Sequence, residues 1–339
     1  MREDVAFSAT DGTTLRGWYY RPEQTGGNWP VVVMSHGFGA VKEMYLDVVA
    51  DGLLGAGLGC LAYDHRGFGH SGGEPRQEID PFLQVADARD AITYAGQLPG
   101  VDPTRLGVWG SSYSGGHVLV LAATDRRVRA VVSQVPTISG ARNTLRRFPG
   151  DGIAEIHERF AADRAGRMRG EPPVMVPIVP GLDPANVALT DGRDATRERV
   201  GNDFGAWITG TPGDRLMTWR NEISLRSLEL YASYEPGIHI ARIAPTPLLM
   251  ISMTDDSVTP TDEILAAYER ACEPKRLLLR PGGHFDVYGI HCEAVIAAAR
   301  DWFTEHLTRP HHRRMEPSAG PDGIPHPLTS FFLIHRRGA

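Results

Sequence analysis

The segment GSSYSGG at residues 110–116 has the residue types that nucleophilic chemistry on a sharp turn requires. Ser112 lies at its centre, and a serine hydroxyl reacts only when it is exposed and supplied with a base. A tight strand-to-helix turn exposes such a side chain, and the crowding there demands small residues two positions before and after it. Gly110 and Ser114 meet that demand, although Ser114 stands where the G-x-S-x-G pattern has glycine. We predict that Ser112 is a nucleophile, with an ordinary turn serine as the alternative.

Two later segments contain the residues that a serine nucleophile needs. Each follows an apolar run, and the two segments are DDSVTP at residues 255–260 and GGHF at residues 282–285. The order along the chain is nucleophile, acid, histidine, as in one of the known serine-histidine-acid arrangements. We predict His284 as the general base and Asp256 as the carboxylate that holds its tautomer. Asp255 is left open as a rival acid, because spacing alone does not distinguish two adjacent carboxylates.

The segment HGFG at residues 36–39 follows the apolar run VVVM at residues 31–34. Acyl transfer needs hydrogen-bond donors already aimed at the developing oxyanion, and removing one costs roughly 3–4 kcal/mol. We predict the backbone amide of Phe38 as one donor and that of Tyr113 as the other. This chemistry uses side chains and backbone only, so we predict no metal and no organic cofactor.

Short apolar runs and helical periodicity alternate around these segments. The predicted strands are residues 5–10, 14–21, 31–34, 58–63, 105–109, 128–135, 247–253 and 276–280. The predicted helices are residues 45–54, 81–98, 115–123, 261–272 and 292–307. This order predicts an α/β fold with a mostly parallel central sheet flanked by helices on both faces. The candidate residues then meet at the carboxyl edge of the sheet.

The alternation stops between residues 139 and 244, where helical material is predicted around residues 153–160 and 215–231. We predict a core of residues 1–138 and 245–307, with residues 139–244 forming a large helical cap. Five aromatic residues of the cap either line a pocket or pack in its core; they are Phe204, Trp207, Trp219, Tyr231 and Tyr234. The composition changes again at residues 308–339, which we interpret as a tail or a docking arm.

The overall composition excludes several classes of protein. The 339 residues include 35 Lys and Arg against 41 Asp and Glu, a net charge of −6, which argues against nucleic-acid binding as the main task. No apolar run is long enough to cross a membrane, so we expect no membrane partner. Three cysteines without metal-type spacing favour a reducing compartment, and we predict a cytoplasmic protein. The expected partner is a small-molecule substrate, and a homodimer is left open.

Together these segments resemble the α/β-hydrolase superfamily over roughly residues 3–307. The loop DHRGFGHSG at residues 64–72 is typical of that superfamily, and WGSSYSGGH at residues 109–117 is similar to a dienelactone-hydrolase-like and X-Pro-dipeptidyl-peptidase-like subgroup. The resemblance implies cleavage of esters, thioesters, amides or some carbon–carbon bonds. It also implies that relatives in polyketide pathways use the same pocket for tailoring, including the elimination of acetate.

The main hypothesis is therefore a serine hydrolase that cleaves an ester, thioester or related acyl bond of a bulky hydrophobic small molecule through an acyl-enzyme. Two alternatives stay open: a lyase of natural-product biosynthesis that eliminates an acyloxy group, and a non-catalytic binding protein. In the loop after the second buried strand, we expect an internal ion pair of Asp64 with Arg66. We expect structural roles for His36, His65 and His70.

Overall fold

Eight strands form one sheet that is antiparallel at one side and parallel elsewhere. The computed structural model describes residues 1–23, 26–179, 207–208 and 211–308. The strands of the sheet are β1 Arg2–Ser8, β2 Thr14–Tyr20, β3 Trp29–Ser35, β4 Gly59–Tyr63, β5 Val101–Ser111, β6 Val128–Gln134, β9 Leu248–Met253 and β10 Lys275–Arg280. Their spatial order is β1-β2-β4-β3-β5-β6-β9-β10. Only the β1–β2 and β2–β4 pairings of this sheet are antiparallel, which confirms the predicted, mostly parallel sheet.

Helices cover both faces of this sheet. The α-helices of the described residues are α1 Leu46–Leu54, α2 Pro81–Ala95, α3 Tyr113–Thr124, α4 Gly140–Arg147, α5 Gly152–Met168, α6 Leu225–Ala232, α7 Thr261–Arg270 and α8 Cys292–Phe303. Helices α1 and α8 pack on one face, and α2, α3 and α7 pack on the other. Strand β3 shows why the sequence supports this arrangement: Val31 and Val33 pack on the α3 face, while Val32 and Met34 pack on the α1 face. A run of four consecutive apolar residues is what a strand covered on both faces needs.

The segment between β6 and β9 contains α4, α5 and α6. The helical stretch predicted around residues 215–231 is wrong in part. A 3₁₀ turn at Gly213–Leu216 precedes strand β8, Ile223–Ser224, which pairs antiparallel with β7, Met175–Val176. The Asn221 side chain accepts from the Val179 amide at 2.8 Å and donates to the Val179 carbonyl at 2.9 Å. These tertiary contacts override the helical pattern of residues 215–231, and only α6 at its end is α-helical.

The end of this segment packs with the sheet. The 3₁₀ stretch Pro236–Arg242 contacts α3, and Ile240 and Ile243 lie in the hydrophobic cluster on that face. Residues Met1–Thr308 form one compact unit. The boundaries predicted for core and cap stay a prediction. The predicted tail at residues 308–339, apart from Thr308, and the aromatic Phe204 lie outside the described residues.

No helix within the described part of the chain combines the length and the apolar character that a bilayer crossing requires.

Candidate active site

Ser112 occupies a strained turn between β5 and α3. Its backbone has φ 57° and ψ −120°, a conformation that costs a non-glycine residue about 1–3 kcal/mol. The turn is held by hydrogen bonds from the Ser112 amide to Gln134 O at 2.8 Å and from the Gly115 amide to Ser112 O at 2.9 Å. A Cβ atom on Gly110 would lie 2.1 Å from Ser114 O, so glycine is required there. The crowding inferred from the sequence is present, and the turn directs the Ser112 side chain into a cavity.

The three predicted polar side chains meet at the carboxyl edge of the sheet. Ser112 Oγ lies 2.9 Å from His284 Nε2, and His284 Nδ1 lies 2.7 Å from Asp256 Oδ2. Their exposed fractions are 9%, 2% and 6% in the order Ser112, His284, Asp256, so all three side chains are buried, and Ser112 and His284 line the cavity. Such a chain can move a hydroxyl proton to an imidazole and stabilise the imidazolium that forms.

The geometry also separates Asp256 from its rival. Asp256 Oδ1 accepts from the amides of Val258 at 2.9 Å and Thr259 at 2.8 Å, which fixes the carboxylate towards His284. Asp255 is exposed, and its carboxylate accepts instead from the Thr254 hydroxyl at 2.7 Å. The carboxylate that lies beside the histidine is therefore that of Asp256.

Ser114 joins the Ser112 turn to the loop after β3. Its hydroxyl donates to His36 O at 2.5 Å and lies 3.0 Å from His65 Nε2. The His65 amide in turn donates to His36 Nε2 at 3.1 Å. Burial lowers the pKa of His36 to about 3 and that of His65 well below its usual value, so both rings stay neutral. These contacts are structural, and none of them reaches His284.

The loop after β3 lies against Ser112. A Cβ atom on Gly37 would be 3.2 Å from Ser112 Cβ and 3.7 Å from Ser112 Oγ, which shows how closely this backbone approaches the hydroxyl. Phe38 follows in the turn closed by the hydrogen bond from the Ala40 amide to Gly37 O at 3.2 Å. Tyr113 is the first residue of α3, where a backbone amide has no acceptor within the helix. Both amides predicted as oxyanion donors thus belong to segments that flank Ser112.

The expected pair of Asp64 with Arg66 is wrong. Asp64 is fully buried and accepts from Lys42 Nζ at 2.8 Å and from the Lys42 amide at 2.8 Å. Arg66 instead binds Asp87, from its Nε at 2.6 Å, and Asp11 at 2.7 Å. In the turn that follows β4, the two side chains therefore have different partners, which their spacing in the sequence does not reveal.

A cavity of about 160 Å³ opens beside the Ser112 hydroxyl. Much of its lining is aromatic or aliphatic, including Phe38, Trp207, Leu228, Phe285 and Tyr288. Of the cap aromatics, Trp207 and Tyr231 line this cavity. Trp219 instead donates from Nε1 to Gly39 O at 3.0 Å, and the Tyr234 hydroxyl lies 2.8 Å from His117 Nδ1. Trp207 and Tyr231 therefore line the pocket, whereas Trp219 and Tyr234 make contacts within the protein.

Several residues at the site were not predicted from the sequence. The Thr259 hydroxyl lies 2.9 Å from Asp256 Oδ2 and 3.2 Å from His284 Nδ1. The Tyr288 hydroxyl lies 2.5 Å from Ser111 Oγ, which accepts from Gln134 Nε2 at 3.1 Å. The sequence contains a partial signal for Thr259, since an Asp side chain in a turn accepts from backbone amides just after it and so brings this segment close. Tyr288 had no such signal, because only the fold brings it to Ser111.

Comparison with known proteins identifies the family of this chain. A family model described as "alpha/beta hydrolase fold" matches residues 30–289, which is well over half of the chain. The chain belongs to the α/β-hydrolase family. The narrower resemblance to the dienelactone-hydrolase-like and X-Pro-dipeptidyl-peptidase-like subgroup stays a prediction.

Relatives of this α/β hydrolase include enzymes of two named kinds. Polyketide transferase grgF of a Penicillium species is 33% identical over 310 residues, which cover 90% of this chain and 97% of that protein. A thiohydrolase of Eupenicillium brefeldianum is 31% identical over 305 residues, which cover 89% and 93%. The crystal structure of the α/β hydrolase GrgF from Penicillium sp. sh18 matches with a TM-score of 0.76 at 31% identity and covers 91% of this chain and 100% of that one. These relatives support an enzyme of hydrolase type with a role in hydrolysis or polyketide tailoring.

Proposed function

We propose that this protein cleaves a thioester or ester of an apolar, low-molecular-weight acyl group through an acyl-enzyme on Ser112. The observation that carries the proposal is the hydrogen-bonded chain from Ser112 Oγ through His284 to Asp256, open to a mostly apolar cavity. The similarity to a thiohydrolase supports a thioester as the bond that is cleaved.

In the first half of the reaction, Ser112 Oγ attacks the acyl carbon while His284 Nε2 takes the hydroxyl proton. The carbonyl oxygen becomes an oxyanion, which accepts from the amides of Phe38 and Tyr113. Asp256 stabilises the imidazolium that has formed. The bond from carbon to the leaving group then breaks, and His284 returns the proton to the departing thiol or alcohol. The acyl group remains on Ser112 as an ester.

In the second half, His284 takes a proton from water as the water oxygen attacks the acyl-enzyme. The same two amides receive the oxyanion, and the proton passes to Ser112 Oγ as the acid leaves. The products are one carboxylic acid and one thiol or alcohol, and one water molecule is consumed. Aromatic and aliphatic side chains around the cavity, such as Leu228 and Phe285, would bury the acyl chain.

A second candidate function is polyketide tailoring, which the similarity to polyketide transferases favours. In a transfer reaction, a nucleophile other than water would take the acyl group from Ser112. In the elimination that the sequence analysis leaves open, a base removes a proton next to the carbon that bears an acyloxy group. The carbon–oxygen bond breaks, a carbon–carbon double bond forms, and a carboxylate leaves without addition of water.

Two measurements test these alternatives. In water labelled with oxygen-18, hydrolysis places the label in the carboxyl group of the released acid, whereas elimination leaves that acid unlabelled and transfer yields a new acyl product. A fluorophosphonate probe should modify the wild-type protein at Ser112 and fail to modify Ser112→Ala. Ser111→Ala is a matched control that should still be labelled, since Ser111 contacts Tyr288 and not His284. An unlabelled wild-type protein would instead support the non-catalytic binding protein.

The proposal includes a reducing compartment, the cytoplasm, and a small molecule as the partner. The three free cysteines, Cys60, Cys272 and Cys292, support such a compartment.

A further inference from the structure

Helix α4 turns a polar face towards the cavity. Gly140, Asn143, Thr144 and Arg147 follow one another at spacings of three, one and three residues, which places them on one side of the helix. Asn143, Thr144 and Arg147 all line the cavity that contains Ser112. Leu145, an apolar residue of the same helix, is 55% exposed. This orientation is the reverse of the usual one, in which a helix buries its apolar side chains and exposes its polar ones.

Arg147 brings a positive charge to this wall, and the residues that the structure describes do not pair it with a negative one. No carboxylate among the described residues forms an ion pair with Arg147, and none of their atoms accepts a hydrogen bond from it. The preceding residue is different, since Arg146 pairs with Asp262 at 2.7 Å and with Glu263 at 3.4 Å. Burial lowers the pKa of Arg147, yet a guanidinium stays protonated in proteins. The charge therefore persists inside the cavity.

The Tyr231 hydroxyl on the same side of the cavity does not neutralise this charge. Burial raises the pKa of the Tyr231 hydroxyl, which keeps it protonated and uncharged. That hydroxyl accepts from Asn143 Nδ2 at 2.8 Å and lies 3.3 Å from Thr137 Oγ1. Asn143 Oδ1 is buried, and no donor in the described part of the chain reaches it. The wall thus holds a cation and an unused acceptor side by side.

This polar wall is connected to the reactive serine. The Thr137 amide donates to Ser112 O at 3.0 Å, and the Thr137 hydroxyl is the one that lies near Tyr231. The Tyr231 ring packs edge-on against Phe38 with centroids 5.4 Å apart. A molecule bound at Ser112 would therefore reach α4 across Tyr231. The rest of the lining is mostly apolar, so an anion placed there finds its counter-charge at Arg147.

An unpaired charge inside an apolar cavity is costly unless a ligand of opposite charge pairs with it. We propose that Arg147 binds an oxyanion, a carboxylate or a phosphate, on the substrate whose acyl group Ser112 receives. This inference rests on the proposed function and names the substrate class: apolar acyl compounds that also carry a negative charge. A guanidinium fits either group because its two parallel N–H donors match two oxygens. Asn143 Oδ1 is placed to accept from an N–H or O–H of the same substrate.

The oxyanion could belong to either end of a thioester, and two pairs of substrates distinguish the ends. The first pair is an acyl N-acetylcysteamine thioester with a terminal carboxylate and the same compound with a terminal carboxamide. The second pair is a neutral acyl group on pantetheine and on 4′-phosphopantetheine. The members of the first pair differ in charge at nearly constant shape, and those of the second differ by the phosphate group. The ratio of the two kcat/KM values in a pair therefore measures recognition of its anionic group, and the dependence of that ratio on Arg147 assigns the recognition to the guanidinium.

We expect wild-type protein to prefer the anionic member of one pair, and Arg147→Met to lower that ratio by about 30-fold, as loss of a charge-assisted hydrogen bond would. Arg147→Lys should restore part of the preference, because it keeps the charge but loses the paired donors. Arg146→Met is the matched control and should leave both ratios at their wild-type values. A wild-type preference for the neutral member in both pairs, or ratios that Arg147→Met does not change, would overturn the proposal.

A binding measurement separates this proposal from the proposed function. Calorimetry with the free medium-chain dicarboxylate mono-amide and with its diamide, and with phosphopantetheine and pantetheine, needs no turnover. If no thioester is cleaved but an anionic ligand binds more tightly than its neutral partner in wild type and not in Arg147→Met, the acyl-enzyme proposal fails and the oxyanion site stands. If thioesters are cleaved but the charge of the ligand changes neither binding nor turnover, the oxyanion site at Arg147 fails and the acyl-enzyme proposal stands. The wild-type comparison decides the matter even if Arg147→Met does not fold.

Discussion

The sheet edge and helix α4 form two walls of the cavity, and they differ in whether their polar groups are paired within the protein. At the sheet edge, Ser112, His284 and Asp256 are joined to one another, and the carboxylate is fixed further by backbone amides. On α4, Asn143 Oδ1 and the Arg147 guanidinium have no partner among the described residues. The joined groups at the sheet edge are held in one geometry, whereas these two groups of α4 remain available to a ligand. In our proposals, the residues at the sheet edge carry out the reaction, and the residues of α4 select the substrate.

The largest effect is expected on kcat when the carboxylate of Asp256 at the sheet edge is replaced. Asp256→Asn removes the charge that stabilises the imidazolium and should lower kcat by about 1000-fold or more, while the fold is kept. Steady-state kinetics on a cleaved thioester measure this change. Asp255→Asn is the matched control, because Asp255 is exposed and contacts Thr254. Equal losses in the two variants would contradict the assignment of Asp256.

An intermediate effect is expected on the free energy of unfolding when the buried ion pair of Lys42 with Asp64 is broken. Lys42→Met leaves Asp64 buried without its cation and should lower the free energy of unfolding by about 3–5 kcal/mol. Arg169→Met breaks an exposed pair with Glu171 in the segment between β6 and β9 and should cost less than about 1 kcal/mol. Denaturant titrations compare the two variants. Similar losses would mean that the two regions do not differ in this respect.

The smallest effect, counted for each histidine and each pH unit, is expected on the free energy of unfolding when the pH is lowered. Burial depresses the pKa of His36, His65 and His117, so each ring is neutral in the folded protein and gains a proton on unfolding below its ordinary value of about 6.5. The unfolded state then binds more protons, and stability falls as the pH falls below about 6.5, by up to about 1.4 kcal/mol per pH unit for each histidine. Unfolding midpoints measured between about pH 6.5 and 5 should show this slope.

The slope should become shallower in His117→Gln, which removes one of the three buried rings. His157→Gln changes an exposed residue of α5 and should leave the slope as it is in wild type. A midpoint that does not depend on pH in this window would show that these rings take up protons without unfolding.

The sheet and the sheet-edge residues could be predicted because each depends on local signals. Consecutive apolar residues predict buried strands, and polar residues directly after parallel strands must meet at one edge. The partner of Asp64 depends on how a turn divides adjacent side chains, and the β7–β8 pairing depends on contacts distant in sequence. The role of Arg147 could not be predicted, because α4 has its polar face inward and only the assembled cavity shows that this arginine lines it without an ion pair to a described residue.

The segment of residues 139–244 leaves the sheet after β6 and returns at β9, two strands that lie side by side. Ser112, His284 and Asp256 all belong to the chain outside it, as does the Phe38 loop. Because β6 and β9 pair directly, the strands that carry the reactive residues form one continuous sheet whatever the length of the chain between them.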